Sequence, residues 1–473
     1  MLMGIKMRAY PTEEQKQVLS QWMGCARVVW NAKCAEWKYQ STYARKYMVL
    51  GTYADVDQSY SQYKDPELTP FLSHVPSQIL RNVSSTWYET MRNWMNPKHP
   101  LKSPAQRKKK RSEESVYLTS ELYEFVKTAE GRFQLRIGTK KFPVGELKFT
   151  AHRTFQLPKS IRIKKKSGLW FVSFCYEDSF LEEELLSEQE TLQTFKKMGE
   201  EELRDRVIGV DRGIAVACHT DQEAFDLSPE AKAKRKKKER YLKSQQKRLA
   251  RQEKGSQCRE KTKKKLARTH SRIANVRDNF CHQTSHALTK NPGKVIVMED
   301  LVTSRMTKHA KPKQNAETGK WEKNHAAQKS GLNRSILSVG WYKLEQYTRY
   351  KARRRGSLLV KIAPQFSSQE CADCSHIHPG NRVSQAEFAC LSCGHRDNAD
   401  RNAALVLKKR AIKLLQHSGT ELSAKGVLSL VDTGCGVQSK TSKLKARKQG
   451  LRSVKKDGNS YVLAPEARLF RAE

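Results

Sequence analysis

Four cysteines in the second half of the chain constrain its local structure more than any other feature of the sequence. They form two C-x2-C pairs, Cys371 with Cys374 and Cys390 with Cys393, separated by fifteen residues. The spacing within each pair lets both thiolates reach one tetrahedral ion, and the gap is long enough for a short hairpin. We therefore predict a zinc ribbon over residues 367–394, in which one Zn2+ ion is structural and leaves no position open for catalysis.

Three histidines near these cysteines offer alternative ligands. His376, His378 and His395 all lie within or just after the ribbon. Because four cysteines already complete a tetrahedral shell, we interpret the histidines as surface residues or as supporting neighbours of the ligands.

The charge of the chain predicts a polyanionic partner. The 473 residues include 90 Lys and Arg against 49 Asp and Glu, a formal net charge of +41. Such a surplus repels itself unless a polyanion neutralises it, and nucleic acid is the expected one. The densest basic run covers residues 232–277, and residues 102–111 and 440–456 are weaker versions. Candidate phosphate-binding residues in the dense run are Lys236, Lys237, Arg240, Lys247, Arg248, Lys264, Arg268 and Arg272.

Neither a membrane nor a secreted location is predicted. No apolar run approaches the roughly 20 residues that span a bilayer, and the first ten residues lack a signal-peptide core. The eleven cysteines are odd in number and seven of them are scattered, unlike a secreted disulfide framework. We expect a cytoplasmic protein with no membrane partner.

Hydrophobic periodicity divides the first 205 residues into three kinds of segment. A short strand at 3–9 precedes a helix that begins near residue 11, and a second helix is predicted over 75–95. Alternating apolar residues between 115 and 176 predict short strands, which we interpret as a small antiparallel barrel that the first strand joins. Residues 178–205 are acidic and helical in character and are interpreted as a linker or surface insertion.

The second half alternates buried strands with helices. Apolar runs at 207–210, 294–298 and 358–362 predict strands of a buried sheet. Helices are predicted over 229–289, in two pieces broken near Gly255, and over 335–355 and 402–416. Residues 303–333 are expected to form a flexible loop, and those after 418 a basic, disordered tail.

Three acidic residues occupy special positions around these strands. Asp211 follows the first apolar run, Glu299 ends the second, and Asp400 lies between the cysteines and a helix. Two carboxylates about 4 Å apart repel by roughly 4 kcal/mol at an effective dielectric near 20, so three together require a cation. Mg2+ prefers hard oxygen ligands, and a pair of such ions can promote phosphodiester hydrolysis. Any one of these acids could be a turn or cap residue, and Asp397 is an alternative third ligand.

Three segments of the second half resemble a known family of nucleases. The segments GVDRG at 209–213, VIVMEDL at 295–301, and the cysteine pattern through Asp400 resemble the split RuvC nuclease with an inserted zinc ribbon of TnpB transposon-associated nucleases. Related compact type V CRISPR effectors share this arrangement. The resemblance is specific over residues 206–407 and weaker over the first 178. Arg212 stands where many relatives have an apolar residue, and we expect it to form a salt bridge.

The resemblance implies an α/β multidomain protein. The nuclease domain would have an RNase H-like (RuvC) fold with the four-cysteine ribbon inserted, and an N-terminal wedge-like antiparallel β-barrel would carry an inserted helical recognition domain. The implied units are a barrel (1–10 and 102–178), a recognition domain (11–101), an acidic linker (179–205), a nuclease domain (206–366 and 395–418), the ribbon (367–394) and a tail (419–473).

The resemblance also implies an activity. The chain would be a Mg2+-dependent, RNA-guided DNA endonuclease of a prokaryotic cytosol, with Asp211, Glu299 and Asp400 as catalytic ligands of two Mg2+ ions. A non-coding guide RNA would pair with double-stranded target DNA beside a short motif. A monomer with RNA is expected, with a dimer as the alternative.

Three alternative functions remain open from the sequence. A compact CRISPR effector would have the same chemistry, whereas a guided repressor or a zinc-ribbon nucleic-acid binder would not cut.

The predicted helices of the first half also carry tryptophans that could stack on bases, namely Trp22, Trp30, Trp37 and Trp87. Their helical spacing is more typical of a hydrophobic core.

Overall fold

Two β-sheets, each covered by helices, organise the chain. The structure, a computed structural model, describes residues 2–49, 56–97, 102–108, 113–127, 133–177, 186–315 and 318–430. Within those residues, no helix combines the length and apolar character needed to cross a membrane. The elements of the first half are β1 Leu2–Tyr10, α1 Glu13–Tyr39, α2 Arg45–Tyr47, α3 Ser77–Met95, β2 Glu114–Thr119, β3 Tyr123–Lys127, β4 Phe133–Gly138, β5 Pro143–Thr150, β6 Ser160–Lys166 and β7 Leu169–Glu177.

The N-terminal sheet is antiparallel and has seven strands in the order β2-β6-β7-β1-β5-β4-β3. As predicted, the first strand joins it: β1 pairs with β7 from Leu2 opposite Glu177 to Ala9 opposite Trp170. The sheet curls strongly, because the rings of Phe125 on β3 and Phe174 on β7 are 5.8 Å apart although three strands lie between them. Among the described residues β2 and β3 remain edges, so the predicted barrel is not closed by hydrogen bonds.

Helix α1 is fixed to this sheet by its first turn. Thr12 and Gln15 form a capping box, in which each side chain accepts a hydrogen bond from the other residue's backbone N–H. The Gln15 amide also donates to the carbonyls of Val144 (3.3 Å) and Glu146 (2.9 Å) on β5. One buried glutamine therefore sets where the helix meets the sheet.

The helices and the N-terminal sheet share one hydrophobic core rather than two. Trp22, Trp30 and Trp87 are buried in it together with the inward-facing residues of β1, β6 and β7, which confirms the core interpretation of these tryptophans. Trp37 is half-buried at its margin and packs edge-on against Trp94 with ring centroids 6.3 Å apart.

The second half is built around a mixed sheet of five strands. Its elements are α4 Glu188–Lys196, α5 Glu200–Arg206, β8 Val207–Asp211, β9 Cys218–Thr220, β10 Ala224–Phe225, α6 Pro229–Arg251, α7 Gln257–Leu288, β11 Val295–Glu299, α8 Thr303–Met306, β12 Lys313–Gln314, β13 Trp321–Glu322, α9 Ala326–Val339, α10 Trp341–Arg353, β14 Leu358–Ile362, β15 Glu387–Ala389, β16 Arg396–Asn398, α11 Ala399–Gln416, β17 Thr420–Leu422 and β18 Leu428–Leu430.

The strand order of this sheet is β10-β9-β8-β11-β14. The three predicted apolar runs are its parallel strands β8, β11 and β14, while β9 pairs antiparallel with both β8 and β10. Val295 and Val297 pack in a core with α11, whereas Ile296 and Met298 pack on the other face with α7 and α10. Burial on both faces explains why β11 reads as an unbroken apolar run.

The acidic segment expected to be a linker is instead part of the fold. Its helical character is confirmed by α4 and α5, but Leu192, Phe195 and Leu203 are buried in the core that contains Leu407 on α11. The acidic residues hide this in the sequence, because most of those in the described part of the segment are exposed on α4 and α5, while residues 178–185 lie outside that part.

Two other expectations differ from the structure. Residues 303–333 were expected to be a loop, but they form α8, the β12–β13 hairpin and the first part of α9, with residues 316–317 outside the described part. The helix predicted over 335–355 is divided at Gly340, whose φ of 85° is left-handed and ends α9.

The first residues of the predicted disordered tail form regular structure. Residues 420–430 form the β17–β18 hairpin, which buries Leu422 and Leu428 in the same core as β14. The rest of the predicted tail, including the basic run 440–456, lies outside the described residues.

Candidate metal centres and nucleic-acid interface

The four predicted cysteines converge on one point. Their sulfur atoms all lie within 4.8 Å of one another, and Cys371–Cys393 and Cys374–Cys390 are 3.7 Å and 3.6 Å apart. Four sulfur donors at this separation fit one tetrahedral metal ion. None of the ten cysteines in the described part of the chain is in a disulfide. The nearby histidines are outside this set: His395 Nδ1 lies 2.9 Å from the Asp373 carboxylate.

A buried asparagine connects the first cysteine pair to helix α11. The Asn402 amide donates to the Glu370 carbonyl (2.8 Å), and its oxygen accepts from the Ala372 N–H (3.0 Å). Arg410, two turns further along, donates to the Glu370 carboxylate (2.8 Å). These hydrogen bonds join the first cysteine pair to α11, the helix that carries Asp400.

The structure brings the three predicted acids into one neighbourhood. Asp211 is the last residue of β8, Glu299 is the last residue of the adjacent parallel strand β11, and Asp400 is in the first turn of α11. Their spacing is looser than that of the sulfurs, since among the described residues the cysteines are the one set of three or more ligand groups within 4.8 Å. The carboxylates nevertheless act on one another electrostatically.

Asp211 carries the strongest sign of this crowding. Burial raises the pKa of its carboxyl group, and the negative charges of Glu299 and Asp400 raise it further, to about 7. The Arg382 guanidinium and the Arg212 backbone N–H oppose this rise in pKa. A carboxyl group that is buried and crowded by other carboxylates in this way is typical of a site that can bind a cation.

Gly209 makes the approach of α11 possible. A Cβ atom at this residue would lie 1.9 Å from the Ala404 carbonyl oxygen, so only glycine fits there. Ala404 is one helical turn after Asp400, and Gly209 is two residues before Asp211. The contact between β8 and α11 therefore holds these two acids close together.

Two residues at the acids were missed by the sequence reasoning. The Ser367 hydroxyl donates to Glu299 Oε1 (2.7 Å), and Arg382 of the ribbon segment lies 3.5 Å from Asp400 Oδ1. The alternative ligand Asp397 has other partners: its Oδ1 accepts from the Asn398 N–H (2.7 Å) and lies 3.4 Å from Arg401, and the acids that raise the pKa of Asp211 are Glu299 and Asp400. No local pattern marks Ser367 or Arg382, because both contacts join segments distant in the chain.

Beneath the acids lies a buried ionic network. Arg212 donates to the backbone carbonyl of Glu299 and is 3.6 Å from one oxygen of Glu345, as the salt-bridge expectation required. The other Glu345 oxygen is 3.3 Å from Lys361, which is also paired with Asp300 at 2.9 Å. The network draws on all three parallel strands: Arg212 directly follows β8, Asp300 directly follows β11, and Lys361 lies in β14. It therefore ties the ends of these strands together.

The basic run predicted to bind nucleic acid forms the antiparallel helix pair α6 and α7. All eight candidate residues in it are exposed, and none is in a salt bridge within the described part of the chain. Lys237, Arg268 and Arg272 line one groove of about 490 Å³ between the helices. Arg240, Lys247 and Arg248 line a second of about 590 Å³. Lys236 lines neither of these grooves but a third of about 370 Å³ that also contains Ile214, three residues after Asp211.

Three protein-family models match successive parts of the chain. A helix-turn-helix domain of the OrfB_IS605 type matches residues 1–43, the OrfB_IS605 "Probable transposase" matches 188–310, and the "Cas12f1-like, TNB domain" matches 341–407. The last of these spans the first cysteine pair, the second cysteine pair and Asp400.

Curated relatives match most of the chain. The putative RNA-guided DNA endonuclease InsQ of Escherichia coli K12 is 27% identical over 404 residues, which cover 85% of this chain and 90% of the relative. A putative RNA-guided DNA endonuclease of Streptomyces pristinaespiralis is 26% identical, covering 84% and 87%. Cas12f1 of Sulfoacidibacillus thermotolerans is 32% identical over 215 residues, covering 42% and 44%. A solved Cas12f1–sgRNA–target DNA complex aligns over 86% of this chain and 98% of its own with a TM-score of 0.47 and 11% identity.

These matches show that successive parts of the chain are similar to OrfB proteins of the IS605 type and to a Cas12f1-like domain. They confirm the resemblance to TnpB-type nucleases found in the motifs of the chain.

The buried network allows a first prediction. Glu345→Gln removes the negative charge between Arg212 and Lys361, so two buried cations lose their shared partner. We expect the variant to lose about 3–5 kcal/mol of unfolding free energy in urea titrations. Glu421→Gln, at an exposed residue of β17, is the control and should change stability by less than about 0.5 kcal/mol. Equal stability of the two variants would contradict the role of the network.

The raised pKa of Asp211 predicts how stability depends on pH. Because the folded protein holds this proton more tightly than the unfolded chain, the contribution of Asp211 to stability falls as pH rises from the ordinary pKa of 3.8 towards about 7. In EDTA, Asp211→Asn should therefore melt at a higher temperature than the wild type at pH 8, with the difference vanishing near pH 4. Asp205→Asn should give the opposite sign, because Lys294 lowers the pKa of Asp205. A wild type as stable as Asp211→Asn at pH 8 would refute the crowding.

Proposed function

We propose that the chain is an RNA-guided DNA endonuclease of the TnpB type that hydrolyses target DNA at Asp211, Glu299 and Asp400. The observation that carries this proposal is the convergence of three acids at strand and helix ends: burial, together with the charges of Glu299 and Asp400, raises the pKa of Asp211 to about 7. Relatives that align over about 85% of the chain are named putative RNA-guided DNA endonucleases.

The fold of the second half supports an RNase H-like (RuvC) nuclease. Three strands, β10, β9 and β8, form an antiparallel set, and β11 and β14 extend it in parallel on the other side of β8. In this proposal, residues 206–366 and 395–418 form the nuclease domain and the N-terminal sheet is the wedge. The recognition helices α1 and α3 belong to the same core as the wedge.

The donor set fits magnesium. All three side chains are carboxylates, which are the hard oxygen ligands that Mg2+ prefers. Two Mg2+ ions, when bound, would supply Lewis-acid stabilisation of the scissile phosphodiester. In this chain Ser367 orients Glu299 by its hydrogen bond, and the network of Arg212, Glu345 and Lys361 keeps the strand ends together. Arg382, beside Asp400, is the cation suited to meet a phosphate oxygen.

The basic grooves of α6 and α7 support binding of guide RNA and target DNA. Their Lys and Arg side chains are unpaired in the described residues and are therefore available to phosphates. We propose a non-coding guide RNA, which pairs with one strand of double-stranded DNA beside a short motif, as the bound partner.

A compact CRISPR effector is the second candidate. It is favoured by the Cas12f1-like model over 341–407. The match to Cas12f1 of Sulfoacidibacillus thermotolerans covers 42% of the chain, whereas InsQ covers 85%, so the transposon-associated role has the broader support. A guided repressor or a non-catalytic binder would not need the three acids.

Cleavage tests the proposal directly. The wild type would be purified with the RNA that it binds at its native locus and incubated with a matching plasmid and Mg2+. Asp211→Ala should reduce linearised plasmid to background while it retains guided DNA binding, because it removes a ligand and no nucleic-acid contact. Asp205→Ala, an exposed acid six residues earlier, should cut like the wild type. Cutting by Asp211→Ala would reject the assignment.

The four-cysteine site is proposed to hold one structural Zn2+ ion. Its binding free energy, on the order of 10 kcal/mol, would stabilise the ribbon segment. Cys371→Ser should therefore lose bound zinc, measured by plasma mass spectrometry, and should melt at a lower temperature. Cys258→Ser, at an exposed cysteine of α7, should keep both properties. Full zinc content and unchanged melting of Cys371→Ser would exclude a structural zinc.

A further inference from the structure

Three tyrosines form an exposed ladder at the end of the first long helix. Tyr39, Tyr43 and Tyr47 are 60%, 57% and 77% exposed. The rings of Tyr39 and Tyr43 are stacked, with centroids 5.9 Å apart and planes at 22°, and Tyr47 follows at 6.1 Å and 40°. Contiguous exposed rings of this kind are typical of an interaction surface.

A π-helical turn keeps the three rings on one face. In an α-helix, residues four apart drift by about 40° around the axis, so a row of three would wind away. Residues Gln40–Ala44 form a π-helical turn, whose wider winding opposes this drift. Gln40 and Ala44 are buried on the inner face of the same turn. Local π-helical turns are often found at functional sites.

The charge around the ladder selects an anionic partner. Residues 38–49 contain three basic and no acidic residues. Lys38 and Lys46 are exposed and each directly precedes a ladder tyrosine. The nearest acid before the ladder, Glu36, accepts a hydrogen bond from the Tyr63 hydroxyl and lies 3.7 Å from Lys33. Two copies of this face would repel each other, which argues against a second chain as the occupant.

We propose that Tyr39, Tyr43 and Tyr47 stack on unpaired bases of the guide RNA while Lys38 and Lys46 contact its phosphates. Single-stranded bases stack on aromatic side chains without regard to sequence, and the exposed tyrosine hydroxyls can hydrogen-bond to the 2′-hydroxyls of RNA. The ladder belongs to the N-terminal unit and not to the sheet that carries the acids, so it suits a strand that remains bound rather than the one that is cut. This inference rests on the proposed function.

The experiment measures affinity for RNA and DNA separately. The chain, freed of co-purified nucleic acid, would be titrated with its own guide RNA, with oligouridylate and with oligothymidylate of equal length. Tyr43→Ser should weaken both RNA probes roughly 5- to 100-fold, while Tyr43→Phe, which keeps the ring, should stay within about twofold for oligouridylate. Tyr342→Ser, at an exposed tyrosine on α10, is the matched control and should bind like the wild type.

Salt dependence separates stacking from charge. Tyr43→Ser should leave the slope of log affinity against log salt unchanged, because a ring releases no counterions. Lys46→Gln should reduce the magnitude of that slope by about 0.7, the value for one phosphate of a single strand. A changed slope in Tyr43→Ser would show a general loss of structure and would overturn the stacking role.

Other outcomes also decide the proposal. It is overturned if Tyr43→Ser weakens only oligothymidylate, or if the wild type dimerises in sedimentation and Tyr43→Ser does not. If wild-type cleavage is RNA-guided and RNA affinity is unchanged in Tyr43→Ser, the ladder inference fails while the proposed function stands. If the wild type binds no RNA, the proposed function is wrong, and the ladder inference that rests on it is wrong as well.

Discussion

The contact between the backbone of β8 and that of α11 is the constraint on which the candidate site depends. At Gly209 the two backbones are so close that a Cβ atom would overlap the Ala404 carbonyl. One partner of this contact precedes Asp211 by two residues, and the other follows Asp400 by one helical turn. Acids separated by 189 positions in the chain are thereby held together, although burial and the repulsion between the acids raise the pKa of Asp211 to about 7.

The four-cysteine site and the carboxylates are mechanically connected. Asn402 binds the backbone on both sides of Cys371, and Lys409 and Arg410 bind the same segment from the next turns of α11. The ribbon segment also carries Arg382 to the carboxylate of Asp400. A structural metal would thus do more than fold a small insert, because it would also orient the helix that carries one acid and the arginine beside it.

Charge is distributed unevenly, and the difference separates structural from binding roles. Arg212 and Lys361 are buried, and each has a carboxylate partner. The exposed lysines and arginines of α6 and α7 mostly lack such partners in the described residues and line open grooves. A surplus of one sign repels itself unless a polyanion neutralises it, whereas the buried charges are neutralised within the fold.

Local signals determined much of this protein. The apolar runs of β8, β11 and β14, the break near Gly255 and the spacing of the cysteines each carry their own physical reason, and each was predicted from its own segment. The positions of Asp211 and Glu299 at strand ends followed from those runs. What failed were judgements of packing: the acidic helices α4 and α5 looked like a linker because burial of Leu192, Phe195 and Leu203 depends on α11, more than 190 residues later.

Only the tertiary structure decided which distant residues meet. Ser367 at Glu299, Arg382 at Asp400 and Glu345 between two buried cations have no local signature, since each partner lies in another segment. The Tyr39–Tyr47 ladder likewise needed a π-helical turn and an exposed face that periodicity does not reveal. The amino-acid sequence by itself determined the strands, the metal-ligand types and the net charge, because these depend on neighbouring residues or on composition. The geometry of the acids and their supports was decided by long-range packing, because it depends on how closely two backbones can approach.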